Sequence, residues 1–148
     1  VMTVMYTLYL IRGLPGSGKS TLGQQLAGSH SFEADDYFMK DGVYTFDPSL
    51  LPNAHASCQL HVLTSMKEMV TEIAVCNTFS EQWEVDPYLE MWKEHPIYTV
   101  NIIECQNDFG STHGVPEQTV QDMEDRWEKV HQQNFVPAGG FVPEGDGQ

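Results

Sequence analysis

The apolar positions of the chain gather in short runs set between longer stretches of mixed polarity. Val4 to Ile11 and Ile97 to Cys105 are β-prone and largely apolar, and Ile73-Ala74-Val75-Cys76 is too short and too apolar for anything but a buried strand. Ser31-Phe32-Glu33-Ala34 reads as a shorter second strand. Helical patterns lie between these runs. One covers Lys19 to Ala27, with Gly28 placed to end it. A long helix opens near Pro52, which suits the first helical position, and runs to about Met69 with Leu60, Leu63 and Met66 at helical spacing. Asp86-Pro87 reads as a cap and first turn, opening a helix through Leu89 and Trp92 to about Glu94, where Pro96 stops it. Pro116 starts a last helix, to about Gln133. Lys40-Asp41-Gly42 is a turn signal, and residues 45–48 and 106–115 are irregular.

Strands alternating with helices predict an α/β fold, with a mostly parallel sheet of four to five strands between helical layers. The 148 residues suit one domain over residues 1–133 and a Pro- and Gly-rich tail over 134–148, with a short β-segment at Phe141-Val142. In such sheets ligands collect at the carboxyl ends of the strands. That rule brings four polar stretches to one crevice: residues 13–21, Asp35-Asp36, Cys76-Asn77-Thr78, and the loop after Cys105.

The first of these carries the chemistry. Gly13-Leu14-Pro15-Gly16-Ser17-Gly18-Lys19-Ser20-Thr21 fits G-x-x-x-x-G-K-[ST], the Walker A P-loop, and it stands between a strand and a helix as that motif requires. The glycines let backbone N–H groups turn inward around a polyphosphate, and the helix start adds unpaired donors and a positive dipole end. In this motif the lysine, Lys19, reaches the β- and γ-phosphates, and the hydroxyl of Ser20 ligates Mg²⁺. The expectation is therefore the three-layer α/β/α sandwich of a P-loop NTPase, binding ATP and Mg²⁺. Transfer to a hydroxyl needs one more group, a carboxylate that takes the acceptor's proton. Asp35 is the candidate base. Asp36 is adjacent and points another way, either to the metal's water shell or as a cap on the next turn.

Composition narrows the acceptor. Seven Lys/Arg stand against 21 Asp/Glu, a net charge of −14, and the arginines are Arg12 and Arg126 alone. A protein that grips long nucleic acid neutralises several phosphates with such side chains. A small acceptor, a single nucleic-acid end or an extruded base suits this chain better. Three scattered cysteines without C-x-x-C spacing suit reduced thiols in a cytoplasm and no zinc site. No apolar run nears the ~20 residues of a membrane-spanning helix. The first residues lack a basic segment and a small-residue cleavage site, so no secretory signal is expected.

The P-loop, Asp35-Asp36-Tyr37-Phe38 after it, and Cys76-Asn77-Thr78 after a hydrophobic strand resemble the kinase domain of polynucleotide-kinase-like P-loop kinases. The resemblance runs over roughly residues 4 to 130. It continues through Ala54-His55, Trp83-Glu84-Val85-Asp86-Pro87-Tyr88, His113-Gly114-Val115-Pro116 and Met123-Glu124-Asp125-Arg126-Trp127, segments similar to small, phage-type members, for which an AAA-type ATP-binding description is usual. It implies that Asp35 is the general base, with Lys19 and Ser20 in the P-loop roles. Two departures stand out. Phage polynucleotide kinases carry arginine directly after Asp-Asp-Tyr, to hold an acceptor phosphate, and this chain has Phe38; Cys76 stands where related members have an aspartate. The lid segment between Cys105 and Pro116 also lacks Lys and Arg, where the family places arginines against the γ-phosphate.

Asn107, His113 and Arg126 are the available substitutes for that lid arginine, with His113 more readily read as a surface loop residue. Phe38 and Phe79 either stack on a base or sit in the core. His55 and Gln59 share a helix face that follows the Asp-Asp-Tyr segment and either line an acceptor pocket or are buried. Asn77 and Thr78 complete the candidate acceptor set. Trp83, Trp92 and Trp127 read as packing residues. Three functions stay open: a kinase acting on a nucleic-acid-related hydroxyl, a small-molecule kinase of the zeta-toxin or antibiotic-phosphotransferase kind, and a nucleotide-binding regulator with a decayed site. Oligomeric state is not readable from the sequence.

Overall fold

The computed structural model describes residues 3–110 and 113–130, and the backbone of 134–135. Five strands form one sheet in the order β2 (Ser31–Phe32), β5 (Glu72–Asn77), β1 (Tyr6–Arg12), β6 (Tyr98–Glu104) and β7 (Asn134–Phe135). All neighbouring pairs are parallel except β6 with β7. The α/β expectation holds, and β7 places two residues of the tail at the sheet edge. The segment Phe141-Val142 lies outside the described residues.

The alternation of a strand decides which layer each side chain meets. Leu8, Leu10, Ile73, Val75, Val100 and Ile102 face the larger core, packed with residues of α2 (Leu51–Lys67) and α3 (Gln82–Glu94). Ile11, Ala74 and Cys76 face the other side, against Leu22 and Leu26 of α1 (Lys19–Ala27). Each fully buried aliphatic side chain contributes about 1.5–3 kcal/mol. Helix α1 comes very close to the sheet at Gly23, where a Cβ would lie 2.4 Å from both Cys76 Sγ and Ser31 Oγ. The same parity, carried to the strand ends, puts Arg12, Asn77 and Glu104 on the face of the larger core.

Several local expectations need correction. Helix α2 turns differently: Leu60 is 62 % exposed, while Ala54, Cys58, Val62, Ser65 and Met66 face inward. The inner face of α2 mixes small Ala54, Cys58 and Ser65 with Val62 and Met66 and packs close to the 3₁₀ helix Ala34–Phe38, while Leu60 is left on the outside. Helix α3 begins at Gln82, not at Asp86-Pro87. Glu81 caps it in a reciprocal box with Glu84, and this strong start outweighs Pro87 within the second turn, which withdraws a single i→i−4 bond. Trp83 is consequently 64 % exposed and not a packing residue, its indole N–H donating to Glu81. Helix α4 spans Glu117–Asp125 and residues 127–130 after it are irregular; the expected end at Gln133 lies outside the described residues. Its buried residues are none, so no apolar face carries it further.

After β2 the chain forms the 3₁₀ helix Ala34–Phe38 in place of the last strand residue, then a hairpin of β3 (Met39–Lys40) and β4 (Val43–Tyr44). Asp41 and Gly42 make its two-residue turn with φ of 50° and 78°, the left-handed pair that matches strand twist. This hairpin carries Tyr44 back over the 3₁₀ helix.

Candidate active site

The P-loop joins the end of β1 to α1, and the backbone angles show why its glycines stand where they do. Gly16 and Gly18 have φ of 81° and 95°, a region that costs other residues strain. A Cβ on Gly16 would lie 2.5 Å from the carbonyl oxygen of Gly110. The loop after β6 therefore lies directly on the P-loop, with Phe109 N–H donating to Gly16 O at 2.7 Å and the Phe109 ring beside Gly18. Lys19 Nζ folds back to donate to the carbonyls of Gly13 and Leu14, at 2.8 and 2.9 Å. Burial lowers its proton affinity, while Glu33, the Cys76 and Cys105 thiols and Asp35 act in the opposite direction. Ser17 is 2 % exposed and its hydroxyl has no partner. A buried orphan hydroxyl in a glycine cradle, beside a lysine, is the donor set that a polyphosphate satisfies. The residues present fit the nucleotide that the motif implies.

Beside this cradle lies a carboxylate that the sequence did not single out. Glu33 follows β2, and its Oε2 accepts the hydroxyl of Ser20 at 2.7 Å. Glu33 also caps the 3₁₀ helix: its side chain accepts from the N–H of Asp36, and Asp36 Oδ2 accepts from Glu33 N–H at 3.3 Å. Burial raises the proton affinity of Glu33, partly opposed by the Ser20 hydrogen bond, and burial does the same for Asp36. Asp36 is thus the cap of the next turn, the second of its two sequence readings.

Asp35 is half-buried on the 3₁₀ helix and accepts the hydroxyl of Tyr44 on Oδ1 at 3.1 Å. Desolvation first, and the Asp35 charge second, push Tyr44 up to about 12, so it remains a donor. The Tyr44 ring lies 3.9 Å from that of His113, which brings the segment before α4 to the same place. Phe46, half exposed, stacks on Tyr44 and meets Phe38 edge-on. Tyr44 had no sequence signal beyond the Asp-Gly turn two residues before it.

Phe38 is 1 % exposed and Phe79 likewise, so both are core residues and neither offers a stacking face. Asn77 lies within β5 and points into the protein, where its Oδ1 accepts the N–H of Ala34 at 2.9 Å. It pins the residue before Asp35 and does not line the crevice. The Thr78 carbonyl accepts the N–H of Gly13 at 3.3 Å, which ties the β5 end to the P-loop. His55 is half-buried on α2, and Asn107 is exposed in the loop after β6. Burial pushes the Cys76 thiol up to about 12, and its Sγ sits on the Lys19 carbonyl and Ser31 Oγ.

Arg12 is committed to structure, whereas exposed Arg126 is held at its Nε. Arg12 is fully buried: Nε and Nη2 donate to Phe79 O at 3.0 and 2.6 Å, and Nη2 also to Glu128 O at 2.8 Å. Glu104 stands 3.4 Å from Nη1, and the guanidinium lies 4.2 Å from the Trp127 ring centre. Burial lowers its proton affinity, with Glu104 the main opposing charge. Arg126 donates from Nε to Ser80 Oγ at 3.1 Å. Together they fasten the chain after α4 to the start of α3 and the end of β1. On this β6 flank an open cavity of about 330 Å³ is lined by Leu14, Glu104, Cys105, Gln106, Glu124 and Trp127. Among the described residues no helix is long and apolar enough to cross a membrane.

No protein-family model matches the chain. Human NEDD4-binding protein 2 is 36% identical over 92 residues, which covers 60% of this chain and only 5% of that protein. Solved structures share the fold at low identity. The Pnkp1/Rnl/Hen1 complex contains a chain that matches with a TM-score of 0.54 at 16% identity, over 82% of this chain and 40% of that one. A candidate kinase from Chloroflexus aurantiacus matches at 0.54 and 21% identity, over 68% and 58% of the two chains. A gluconokinase from Sinorhizobium meliloti matches at 0.50 and 14% identity, over 86% and 78%. The present chain thus spans a small part of the curated relative and about half of the first two structures. The three-layer arrangement, with its mostly parallel sheet flanked by helices and its glycine loop after β1, is the fold of the P-loop kinases.

Proposed function

We propose that the chain is an ATP- and Mg²⁺-dependent kinase that transfers the γ-phosphate to a hydroxyl, with Asp35 as the general base. The observation that carries this reading is a carboxylate, Asp35, whose charge is felt by Lys19 of the glycine loop and whose Oδ1 already holds a hydroxyl, that of Tyr44. A proton-accepting carboxylate beside a phosphate cradle is the minimum for in-line transfer. Asp35 takes the acceptor's proton as the acceptor oxygen bonds the γ-phosphorus and the bond to the bridging oxygen of ADP breaks. Lys19 leaves the Gly13 and Leu14 carbonyls for the phosphate oxygens. Mg²⁺, held through Ser20, would spread the negative charge on those oxygens when bound. Asp35 lies on the β2 flank of the P-loop, which leaves the cavity at Leu14, Glu104 and Trp127 on the β6 flank for the nucleoside part of the donor.

For the acceptor we favour a hydroxyl from nucleic-acid metabolism: a 5′-hydroxyl end, a nucleoside or nucleotide, or a hydroxymethylated base in phage DNA. The polynucleotide-kinase-like segments support this, and a host cytoplasm suits such substrates. With Phe38 in the core, His55, Thr78, His113 and exposed Phe46 are the side chains left to meet the acceptor. Steady-state assays with γ-labelled ATP against 5′-hydroxyl oligonucleotides, hydroxymethyl-base DNA, free nucleosides and sugars test it. Label on a nucleic-acid acceptor supports the proposal. Label on sugars alone moves the chain to small-molecule kinases.

A second reading has one observation in its favour. Arg12 is buried, which leaves exposed Arg126, held at Nε by Ser80, as the single arginine available to a γ-phosphate. An arginine at that position is worth about 10³–10⁵ in rate. A nucleotide-binding regulator would bind ATP tightly, turn over no acceptor and be indifferent to Asp35→Asn.

A further inference from the structure

Two strand ends flank the P-loop on the acceptor side, and they differ in what they offer a divalent cation. The end of β5 presents Cys76, a buried thiol packed on the Lys19 carbonyl and against α1. The end of β2 presents Glu33, whose Oε2 accepts the Ser20 hydroxyl proton at 2.7 Å. A hydroxyl that spends its proton on a carboxylate keeps its lone pairs free on the far side. Partners of this kind orient and strengthen a metal-binding oxygen. Among the described residues no group of three His, Cys, Asp or Glu is gathered to hold a metal alone. That agrees with a cation of the Mg²⁺ type, which is held by few protein groups together with phosphates and water.

We propose that Glu33 is the positioning carboxylate for the divalent cation in this chain: it acts through Ser20, from the β2 end, in place of an acidic residue at position 76. The assignment rests on the nucleotide-binding reading of the P-loop. The competing local explanation is that Glu33 only caps the 3₁₀ helix at Ala34–Phe38. A cap alone needs an oxygen for the Asp36 N–H. It does not need the second contact, to a hydroxyl of another helix 13 residues earlier in sequence. The two explanations make different predictions because glutamine keeps a capping oxygen and removes the charge.

Mn²⁺ is the probe, titrated by electron paramagnetic resonance into protein with ADP, and ADP alone is titrated in EDTA by calorimetry. Glu33→Gln is expected to weaken Mn²⁺ binding to the ADP complex about tenfold, the lower range for losing such a partner. Affinity for metal-free ADP should stay within about twofold, since the cradle is unaltered. In a Ser20→Ala background Glu33→Gln should cost less than about twofold, because its route to the cation is already gone. Cys76→Asp added to Glu33→Gln should recover part of the Mn²⁺ affinity. Unchanged Mn²⁺ affinity in Glu33→Gln overturns the assignment. So does an equal loss for metal-free ADP, or the full tenfold loss reappearing beside Ser20→Ala. A wild-type chain that binds neither ADP nor Mn²⁺–ADP would instead overturn the P-loop reading itself, and this assignment with it.

Discussion

In the proposed reading the donor side of the crevice would bind through backbone: the N–H groups and positive-φ glycines of residues 13–18 lie in one contiguous turn, with a single lysine beside them. On the proposed acceptor side the groups are side chains, and they come from separate places. Asp35 is on the 3₁₀ helix, Tyr44 on a hairpin, His113 on the segment before α4, and Asn77 on β5 sets the position of the first. A backbone cradle tolerates changes around it because its geometry is local. A site assembled from four segments depends on how they pack. The acceptor side can therefore diverge while the donor side stays fixed in form. That fits a chain with a complete P-loop and departures concentrated at positions 38, 76 and the lid.

The sharpest way to separate the two sides is Asp35→Asn. It should lower turnover by about 10²–10⁴, the range for losing a general base, while ATP affinity stays within about twofold by calorimetry. Equal loss of ATP affinity would break the division. Arg12→Met probes the anchor that both sides share. It leaves the carbonyls of Phe79 and Glu128 without their donor, at about 1–3 kcal/mol for the buried Phe79 acceptor and less for the more exposed Glu128, so chemical denaturation should show a clear loss of stability. An unchanged midpoint would mean that the post-α4 chain is not fastened through this residue.

Gly16→Ala should act on the donor side alone. The left-handed backbone costs an alanine about 1–2 kcal/mol before the conflict with Gly110 is counted, and ATP binding should fall with it. Tyr44→Phe should have the smallest effect on turnover. It removes one hydrogen bond to Asp35, worth about 1 kcal/mol or roughly fivefold in rate, and ATP affinity should not move. The same variant has an optical readout. Tyr44 in the fold is pushed up to about 12 from an ordinary 10.0, so its neutral form adds stability that is complete below the ordinary value. That contribution disappears as pH rises through the folded value. Tyrosinate absorbance should show one fewer late-titrating group in Tyr44→Phe, and the wild type should lose its stability advantage over the variant between those two values.

Sequence alone was enough for whatever depends on neighbours in the chain. The form of the P-loop, the limits of α1, the Asp41-Gly42 turn and the strand cores all follow from local backbone rules. The tertiary structure decided what depends on contacts across the fold. Leu60 keeps helical spacing yet faces out, because the phase of α2 is set by what it packs on. Asn77 was a candidate ligand by position and is a structural pin, since the parity of β5 turns it inward. Arg12 looked like one of two scarce cations and is spent on carbonyls 67 and 116 residues away. Glu33 carried no motif at all. Its meaning rests on a 2.7 Å contact with Ser20, and a hydrogen bond between a strand end and a neighbouring helix has no signature in either segment.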